Sequence, residues 1–408
     1  MLIYEYKVAG NKQQYQAIDE AIRIVQFIRN KCLRKWMDGR GVSKNDLQCS
    51  CAVLAQEYSF AAPLNSQARQ ASADRAWAAI ARFYENCKNK KPGKKGYPRF
   101  QHDNRSVEYK QTGWRIEPDG KHITFTDGCG IGRLRLVGNK KQSVETFPIK
   151  EIKRVRIVRR ADGYYCQFAV HAERKIEHRS TGKQVGIDVG LKAYCTDSDG
   201  NTVENPRYYR KAEKRLKRQH HRLSRKKKGS ANRKKARKQL ARAYLKVQRQ
   251  REDFARKRAN ALVTSCDLIA YEDLKIANMV KNRRLSKSIS DAAWGRFLTW
   301  VKYYASLHQI ELIAVAPNFT SQDCSACGTR VKKSLSVRTH ICHGCGMVLD
   351  RDHNAAKNIL HAALLILLLR AFAGTVGQTG TSSEEENASG QPASTRLSRR
   401  RKMGKRAG

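Results

Sequence analysis

The sequence predicts a multi-domain α/β protein, in which a β-rich N-terminal module with a helical insert precedes an α/β domain that a small cysteine module interrupts. Short apolar runs with strand-like alternation occupy residues 2–8 and 105–170, whereas residues between them follow a helical period. After residue 183, apolar strands alternate with helical segments, which is typical of an α/β domain. With 408 residues, of which 40% are hydrophobic, the chain is long enough for roughly two to four domains.

The helical insert is predicted to span residues 11–90. Its first helix carries one apolar stripe at steps of three and four residues, formed by Ile18, Ile22, Val25, Ile28 and Cys32. Two further helices are predicted over 43–57 and 65–87.

The β-rich module is predicted to comprise residues 1–10 and 91–182, on either side of the insert. An Ala-Asp-Gly turn at 161–163 predicts a hairpin between strands at 153–160 and 164–171. We therefore expect an antiparallel, barrel-like sheet in this module.

The segment 88–100 links the insert to the β-rich module, and its Pro and Gly residues break the helix. Tyr97 and Phe100 lie beside Arg99 and among several lysines. Aromatic rings among cations are typical of contacts with single-stranded nucleic acid, which stack bases and neutralise phosphates. A solvated linker is the alternative interpretation.

The α/β domain is predicted to comprise residues 183–317 and 350–373. Its apolar strands are predicted at 185–190, 193–196, 268–272 and 312–317. A helix from Ser290 to His308 is predicted to have Ser290 as its N-cap and Asp291 in its first turn.

The most basic tract, residues 206–258, contains 24 Lys or Arg among 53 residues and only three acids. Apolar residues recur in it every seven positions, at Leu216 and Leu223 and then at Leu240, Val247 and Phe254. A Gly-Ser turn at 229–230 divides it, so we expect an antiparallel helical hairpin with a thin apolar seam. Because its other faces are cationic, the hairpin is predicted to bind a polyanion.

The whole chain is strongly basic, with 82 Lys plus Arg against 36 Asp plus Glu and a formal net charge of +46. Such an excess repels itself unless a polyanion neutralises it, and nucleic acid is the expected partner. A membrane surface is disfavoured, because the basic residues run along the whole chain and do not flank an amphipathic anchor. The apolar run at 359–369 is too short to span a bilayer and is expected to form a buried packing helix.

The first residues do not resemble a signal peptide, and eight of the cysteines are scattered, which indicates a reducing, cytoplasmic location. After Ala373 the chain is rich in Gly, Ser, Thr, Glu and Arg and lacks periodicity. Residues 374–408 are therefore predicted to be a disordered tail.

Three acids occur where an RNase H-like sheet gathers carboxylates at one edge. Asp188 lies within the first strand of the α/β domain, Glu272 ends a later strand and Asp352 opens the final helix. Carboxylates in this arrangement bind two divalent ions about 4 Å apart, which activate water and stabilise the leaving oxygen in phosphodiester hydrolysis. Mg²⁺ is expected, because it takes oxygen ligands. Asp350 is an alternative to Asp352.

Two CxxC pairs, Cys324 with Cys327 and Cys342 with Cys345, are separated by fourteen residues. This is the spacing of a tetrahedral zinc site. Because all four positions are cysteines, the zinc is expected to be structural and to hold the loop that carries Asp352.

The zinc module is predicted to span residues 318–349. Arg338, together with Arg330, Lys332 and Lys333, is a candidate for contact with substrate phosphate. A solvated basic loop is the alternative.

Several motifs together resemble the TnpB proteins, which are insertion-sequence-associated relatives of type V CRISPR effectors. The matching stretches are GYPRF at 96–100, GIDVG at 186–190, YEDL at 271–274, NRRL at 282–285, SISDAAWG at 288–295, both CxxCG knuckles and DRDHNAA at 350–356. They cover most of residues 90–360 and form a highly specific set.

The resemblance implies an RNA-guided DNA endonuclease, whose guide RNA comes from the transposon end and pairs with the target DNA. In this family a β-barrel (wedge) module with a helical insert recognises a short motif beside the target. A RuvC-like nuclease domain, split by a zinc-ribbon module that binds target nucleic acid, then cuts both strands. By position, Asp188, Glu272 and Asp352 match the family's catalytic carboxylates, and the four paired cysteines match its zinc ligands.

The resemblance also implies the partners, which are guide RNA and double-stranded target DNA, with no membrane. The expected nucleic-acid contacts are Tyr97, Arg99, Phe100, Lys226, Lys227, Lys228, Arg233, Lys234, Lys235, Arg283, Arg284 and Arg338. The same resemblance implies a genetic association with a TnpA-type transposase. It also implies a location in a prokaryotic cytoplasm, associated with the nucleoid through nucleic acid.

Other functions fit parts of the pattern. A nuclease-inactive, RNA-guided repressor would explain the charge, but all three carboxylates are present. A transposase acting directly on transposon ends would also use three carboxylates, although the cysteine module just before Asp352 and the basic hairpin favour the guide-RNA hypothesis. A ribosomal-type RNA-binding protein would explain the charge but not the acids.

Overall fold

The computed structural model describes residues 2–138, 148–171, 176–334 and 336–376, with side chains up to Phe372. Within these residues the chain forms two β-sheets, a small two-stranded ribbon and the helices that pack on them. The predicted disordered tail at 374–408 lies outside the described residues, except for its first three residues, which continue a helix.

The first sheet is antiparallel throughout. Its strands are β1 (Leu2–Ala9), β2 (Ser106–Tyr109), β3 (Trp114–Ile116), β4 (His122–Phe125), β5 (Gly132–Val137), β6 (Ile152–Arg160) and β7 (Gly163–Val170). They lie in the order β2-β6-β7-β1-β5-β4-β3. The predicted turn at 161–163 joins β6 and β7, which pair over most of their length, so the hairpin is confirmed.

The insert consists of the three predicted helices. They are α1 (Lys12–Asp38), α2 (Lys44–Glu57) and α3 (Ser66–Lys88). The predicted stripe of α1 is buried, with Ile18, Ile28 and Cys32 fully excluded from solvent. Asn11 and Ser43 begin α1 and α2 with capping boxes, in which the side-chain oxygen accepts a hydrogen bond from the backbone N–H three residues on.

Glu108 of β2 is a buried carboxylate that ties the insert to the sheet. It accepts hydrogen bonds from Arg75 of α3 at 3.1 Å and from Arg154 and Arg156 of β6. Burial raises the pKa of Glu108, but the attraction of Arg75 and Arg156 outweighs burial and lowers the pKa overall. The carboxylate therefore stays charged, and breaking its pairing would cost several kcal/mol because a buried charge would be left alone.

The closure of the first sheet into a barrel stays a prediction. Among the described residues, the strand pairings run from β2 at one edge to β3 at the other, and none joins these two strands. Helices α1 and α3 lie against β2, where Arg75 also donates a hydrogen bond to the carbonyl oxygen of Ser106. Helices therefore protect this edge of the sheet.

The second sheet contains the four predicted strands of the α/β domain, with bounds shifted by at most about two residues, and a fifth short strand at 202–204 that the sequence did not predict. They are β8 (Gln184–Val189), β9 (Ala193–Asp197), β10 (Thr202–Glu204), β11 (Leu268–Glu272) and β12 (Glu311–Val315). Their order is β10-β9-β8-β11-β12. The pairings from β10 to β8 are antiparallel, and those from β8 to β12 are parallel.

The predicted basic hairpin consists of α4 (Tyr208–Ser224) and α5 (Ala231–Thr264). Its apolar seam is narrow, and Leu216 and Leu240 are buried in a small cluster of their own. Arg233 closes the turn, because its guanidinium donates hydrogen bonds to two backbone carbonyl oxygens there. Most of the other cationic side chains are exposed, as the sequence predicts.

The prediction of one helix from Ser290 to His308 is wrong, because in the structure this segment belongs to two helices. After the short α6 (Ile276–Met279) come α7 (Ser286–Ala292) and α8 (Trp294–His308). Ala293, between α7 and α8, has a φ of 57°. This left-handed conformation ends one helix and reorients the chain before the next.

Asp291 caps a different helix from the one that the sequence predicts. Its two carboxylate oxygens accept hydrogen bonds from the backbone N–H groups of Tyr209 and Arg210, at 2.8 and 3.0 Å. Asp291 therefore stabilises the start of α4, where a negative charge is favourable.

The cysteine module carries a two-stranded antiparallel ribbon, formed by β13 (Thr339–Ile341) and β14 (Val348–Asp350). The last helix, α9 (Arg351–Val376), begins directly after β14 and packs on the second sheet. The ribbon and the helix are thus joined without an intervening loop.

Gly186 of β8 allows α9 to approach the sheet very closely. A Cβ atom at this position would lie 2.2 Å from the carbonyl oxygen of Ala356 and 2.7 Å from the nitrogen of Leu360. Both distances are far below van der Waals contact, and both neighbours are backbone atoms that cannot rotate away. The absence of a side chain at 186 therefore sets the distance between the helix and the sheet.

The apolar run at 359–369 is only partly the buried helix that the sequence predicts. Ile359 and Ala363 pack against β11 and β12, whereas Leu365, Leu368 and Leu369 are 60%, 55% and 68% exposed. Arg351–Phe372 is the one segment of the described residues that is long and apolar enough to cross a membrane, with 22% of it buried. Core helices satisfy the same criterion, and the first half of this one packs on the sheet.

Gly186→Ala is expected to destabilise the protein by about 1–3 kcal/mol or more, because the added methyl group would force α9 away from β8. Thermal unfolding followed by circular dichroism measures the effect. Gly295→Ala is the matched control, because its Cβ would meet only Ile276 at 3.6 Å and alanine suits a helix better than glycine. Equal melting temperatures for Gly186→Ala and the wild type would contradict the close contact.

Candidate active site and metal centre

Asp188 and Glu272 lie side by side at one end of the second sheet. In the parallel pair β8 and β11, Ile187 is registered with Tyr271. The next residues along the two strands, Asp188 and Glu272, are therefore neighbours whose side chains leave the same face. The structure thus brings together two of the acids that the sequence singled out.

Helix α9 brings Asp352 to the same place. Asp352 lies in the first turn of α9 and is 7% exposed. A Cβ atom on Gly190, just after β8, would lie 3.7 Å from Oδ2 of Asp352. Asp350 has another role, because its Oδ1 accepts hydrogen bonds from the backbone N–H groups of Asp352 and His353 and caps the helix. The geometry therefore distinguishes the two acids that the sequence left as alternatives.

Glu272 and Asp352 are close enough to Asp188 for their charges to affect its protonation. Burial, followed by the negative charges of Glu272 and Asp352, raises the pKa of Asp188 to about 7, against the opposing effect of Arg351. Burial also raises the pKa of Glu272, against the lowering effect of a hydrogen bond from Thr320. Such a group of partly buried like charges favours either protonation or the binding of a cation.

Two arginines approach Asp352 from the side of the cysteine module. Nη1 of Arg338 lies 3.3 Å from Oδ2 of Asp352, and Nη2 of Arg351 lies 3.0 Å from Oδ1. The Arg338 side chain remains 39% exposed. A residue predicted to contact phosphate therefore stands directly at the acidic cluster.

The four cysteines form a compact cluster. Sγ of Cys324 lies 3.7 Å from Sγ of Cys345, and Sγ of Cys327 lies 3.5 Å from Sγ of Cys342. A tetrahedral zinc ion with Zn–S bonds of about 2.3 Å separates its sulfurs by about 3.8 Å, so the cluster fits such an ion. In the part of the chain that the structure describes, no other three His, Cys, Asp or Glu side chains have ligand atoms all within 4.8 Å of one another.

The two knuckles have the backbone shape of metal-binding turns. Gly328 and Gly346 have φ values of 75° and 73°, and each donates its N–H to the carbonyl oxygen of the first cysteine in its knuckle. Hydrogen bonding with Thr329, and then with Cys345 and Cys342, lowers the pKa of Cys327 to about 6. This favours the thiolate, which is the form that binds metal.

Comparison with known proteins assigns the chain to a family. Residues 167–283 match the OrfB_IS605 family, described as "Probable transposase", and residues 294–359 match the Cas12f1-like TNB domain. A Streptomyces pristinaespiralis protein named "Putative RNA-guided DNA endonuclease" is 30% identical over 377 residues, which cover 88% of this chain and 89% of that protein. The chain belongs to the TnpB family.

Two further comparisons agree with this result, one in sequence and one in fold. An Escherichia coli K12 protein named "Putative RNA-guided DNA endonuclease InsQ" is 27% identical over 325 residues, which cover 75% of this chain and 77% of that protein. The Cas12f1 chain of a "Cas12f1-sgRNA-target DNA complex" superimposes with a TM-score of 0.50 at 15% identity, over 85% of this chain and 81% of that chain. At this identity the likeness concerns the fold alone, and it confirms an α/β architecture of this kind.

In this TnpB chain the aromatic residues of the 88–100 segment pack on the insert. The ring of Tyr97 lies 5.6 Å from that of Trp36 and is still 54% exposed. Phe100 lies 5.0 Å beneath the guanidinium of Arg34, and Arg99 is exposed between the two aromatic residues. The rings therefore anchor the segment, and their contact with nucleic acid stays a prediction.

The remaining cationic candidates lie in two places on the TnpB fold. Lys226, Lys227, Lys228, Arg233, Lys234 and Lys235 surround the turn of the basic hairpin, and Arg283 and Arg284 precede α7. All except Arg233 are exposed. Arg233 uses its guanidinium to close the turn, which leaves the exposed lysines and arginines as the better candidates for phosphate contact.

Sequence reasoning missed four residues that shape the site. Gly186 could have been noticed, because a glycine inside an apolar strand often marks a close backbone approach. Asn354 and Asn358 both donate hydrogen bonds to the carbonyl oxygen of Asp323. Their spacing of four residues, which places them on one helix face, was the available signal. Thr320 gave no signal, since its contact with Glu272 joins residues 48 positions apart.

The protein without divalent cations is expected to lose stability as the pH rises from about 4 to about 7. The folded-state pKa of Asp188, about 7, lies above the ordinary value of 3.8. In this window the folded state therefore holds a proton that the unfolded state has released. Stability then falls by at most about 1.4 kcal/mol per pH unit.

Calorimetric unfolding of the wild type and of Asp188→Asn over this pH range tests the expectation. The difference between the two proteins isolates Asp188 from other groups that titrate in the window. An unchanged slope in Asp188→Asn would contradict the assignment.

Proposed function

We propose that this TnpB-family protein is an RNA-guided DNA endonuclease that cleaves its target at a single RuvC-like site by metal-dependent phosphodiester hydrolysis. One observation carries the proposal, which is that Asp188, Glu272 and Asp352 come together from two adjacent parallel strands and the start of α9. The names of two relatives that span most of the chain support the same activity.

The order of strands in the second sheet supports an RNase H-like nuclease domain. Three antiparallel strands are followed by two that run parallel to the central one, with the first acid on central β8 and the second on neighbouring β11. The third acid stands on the helix that packs against them. We assign residues 183–317 and 350–373 to this domain, with the zinc ribbon at 318–349 inserted between its two parts.

The carboxylates of Asp188, Glu272 and Asp352 would hold the catalytic cations. Oxygen ligands suit Mg²⁺, and a buried group of like charges is stabilised by a cation. Two bound Mg²⁺ ions would supply activation of water and stabilisation of the leaving oxygen. With a pKa raised to about 7, the carboxyl group of Asp188 would be only partly ionised near neutral pH until positive charge reaches the site.

Arg338 and Arg351 provide positive charge from the protein itself. Both guanidinium groups contact Asp352, and a guanidinium in this place can pair with a phosphate through two parallel hydrogen bonds. Because Arg338 is partly exposed and precedes β13, the zinc module would contact the strand being cut.

The tetracysteine centre is proposed to hold a structural zinc ion. Four cysteine ligands fill a tetrahedral site and leave no open position for a substrate. The ion would stabilise the ribbon, and β14 continues directly into α9. Zinc would thereby help to place both Arg338 and Asp352.

Guide RNA and double-stranded target DNA are the proposed partners. The net charge of +46 and the exposed cations of the hairpin suit a long polyanion. RNA–DNA pairing would supply sequence specificity, while the β-rich module (1–10 and 91–182) and its insert (11–90) would recognise a short motif beside the target. Association with a TnpA-type transposase and a nucleoid-associated, cytoplasmic location belong to the same proposal.

Guide-dependent cleavage tests the proposal. Protein co-expressed with transposon-end RNA is expected to retain that RNA and, with Mg²⁺, to linearise plasmids that carry a guide-matched site beside a randomised flank. Asp188→Ala is expected to slow cleavage about 1,000-fold or more, with target binding maintained. Asp199→Ala is the matched control, because among the described residues this exposed turn acid forms an ion pair only with Lys183.

The other outcomes distinguish the alternatives. Binding of guide and target without cleavage would indicate an RNA-guided repressor. A protein that retains no RNA but acts on transposon ends would be a transposase. The OrfB_IS605 family, which matches residues 167–283, is described in that way. Wild-type cleavage by Asp188→Ala would overturn the assignment of the carboxylates.

The purified protein is expected to contain about one zinc ion per chain, and Cys342→Ser to lose most of it and unfold at a lower temperature. Mass spectrometry with an inductively coupled plasma source measures the zinc. Cys87→Ser, which changes an exposed cysteine at the end of α3, is expected to keep both properties. A full zinc content in Cys342→Ser would count against the site.

A further inference from the structure

Thr320 lies in the segment that leaves β12 and leads to the cysteine cluster. Its hydroxyl donates a hydrogen bond of 2.5 Å to Oε1 of Glu272. Within the described residues, this is the one hydrogen bond that the Glu272 carboxylate makes, and it leaves Oε2 available to another partner.

Two asparagines of α9 fix the segment that carries Thr320. Nδ2 of Asn358 donates hydrogen bonds to the carbonyl oxygens of Thr320 and Asp323, both at 2.7 Å. Asn354 is fully buried, donates to the Asp323 carbonyl oxygen at 2.8 Å and accepts from the N–H of Ser325 at 2.9 Å. The segment is therefore attached to the helix that also carries Asp352.

The neighbouring residues restrict the segment further. Phe319 has a φ of 61°, a conformation that non-glycine residues keep only where their surroundings fix it. The guanidinium of Arg330 lies 3.6 Å from the Phe319 ring centroid and pairs with Asp323 at 2.7 Å. The Thr320 hydroxyl is thus held in place from both sides in the chain.

We propose that Thr320 is a positioning residue, whose hydroxyl orients the carboxylate of Glu272 for cation binding. Carboxylates that bind metal ions are commonly oriented by outer hydrogen bonds, and loss of such a bond weakens metal binding. With Oε1 held by Thr320, Oε2 is the carboxylate oxygen that remains without a hydrogen bond among the described residues. A freely rotating Glu272 would have to be ordered each time a cation binds.

This inference rests on the proposed function, because it assigns Glu272 to the cation site. It adds a residue outside the three carboxylates, and it explains why the segment between the nuclease sheet and the cysteine cluster is held so tightly. The same helix would then place one acid directly, Asp352, and orient a second, Glu272, through Thr320.

The test compares Thr320→Val, which keeps the size and branching but removes the hydroxyl, with Thr320→Ser, which keeps the hydroxyl. Mn²⁺ binding to each guide-RNA complex is measured by electron paramagnetic resonance. The signal of the Glu272→Gln complex is subtracted, because it reports the Mn²⁺ ions that are bound to the RNA. Thr320→Val is expected to weaken Mn²⁺ binding about 10- to 100-fold and to slow cleavage at limiting Mg²⁺, and Thr320→Ser to stay within about threefold of the wild type.

Two further variants complete the design. Thr299→Val is the control, because Thr299 is exposed and, within the part of the chain that the structure describes, its hydroxyl donates only to a carbonyl oxygen of α8. Asn358→Ala, which releases the segment but keeps the Thr320 hydroxyl, is expected to give an intermediate loss of Mn²⁺ binding. Zinc content is measured in every variant and is expected to be unchanged in Thr320→Val.

Wild-type Mn²⁺ binding in Thr320→Val, or equal losses in the Val and Ser variants, would overturn the positioning role. So would loss of zinc from Thr320→Val, because the defect would then lie in the folding of the module. A wild-type complex that does not cleave DNA but still binds Mn²⁺ in a Thr320-dependent way would refute the proposed function alone. A cleaving complex that is indifferent to Thr320→Val would refute this inference alone.

Discussion

The close packing of α9 on β8 is the contact on which the rest of the site depends. Because Gly186 has no side chain, the backbone of α9 reaches the strand. From this contact the helix presents Asp352 to the edge of the sheet, and Asn354 and Asn358 to the segment that leads to the cysteine cluster. A larger residue at 186 would displace all three polar side chains together.

The site gathers negative charge within a chain that is otherwise strongly positive. Two unit charges 4 Å apart interact by about 4 kcal/mol near a protein surface, which is enough to shift a pKa by several units. Three neighbouring carboxylates are therefore stable only with protons, arginines or metal ions nearby. Nucleic acid and divalent cations would meet both needs, because phosphates would neutralise the basic surface and the cations would neutralise the acids.

Local signals predicted most of the helices and strands. Helix caps such as Ser43, the apolar stripe of α1 and the turn at 161–163 depend on residues a few positions apart, so the sequence contains them in full. The prediction failed where packing between distant segments decided the outcome. The predicted helix is interrupted at Ala293, and Asp291 caps α4 instead. The outer leucines of α9 stay exposed, because only one side of that helix packs on the sheet.

By itself, the sequence determined which residues are chemically suited to the site, namely an acid within a strand, an acid at a strand end, an acid at a helix start, four cysteines at zinc spacing and a cationic hairpin. These are local properties of residue type and spacing. Only the tertiary structure decided that Asp352 joins the acids while Asp350 caps the helix, and that Thr320 bonds Glu272. Such contacts join residues that are distant in the chain, and the packing of α9 on the sheet sets the distances between them.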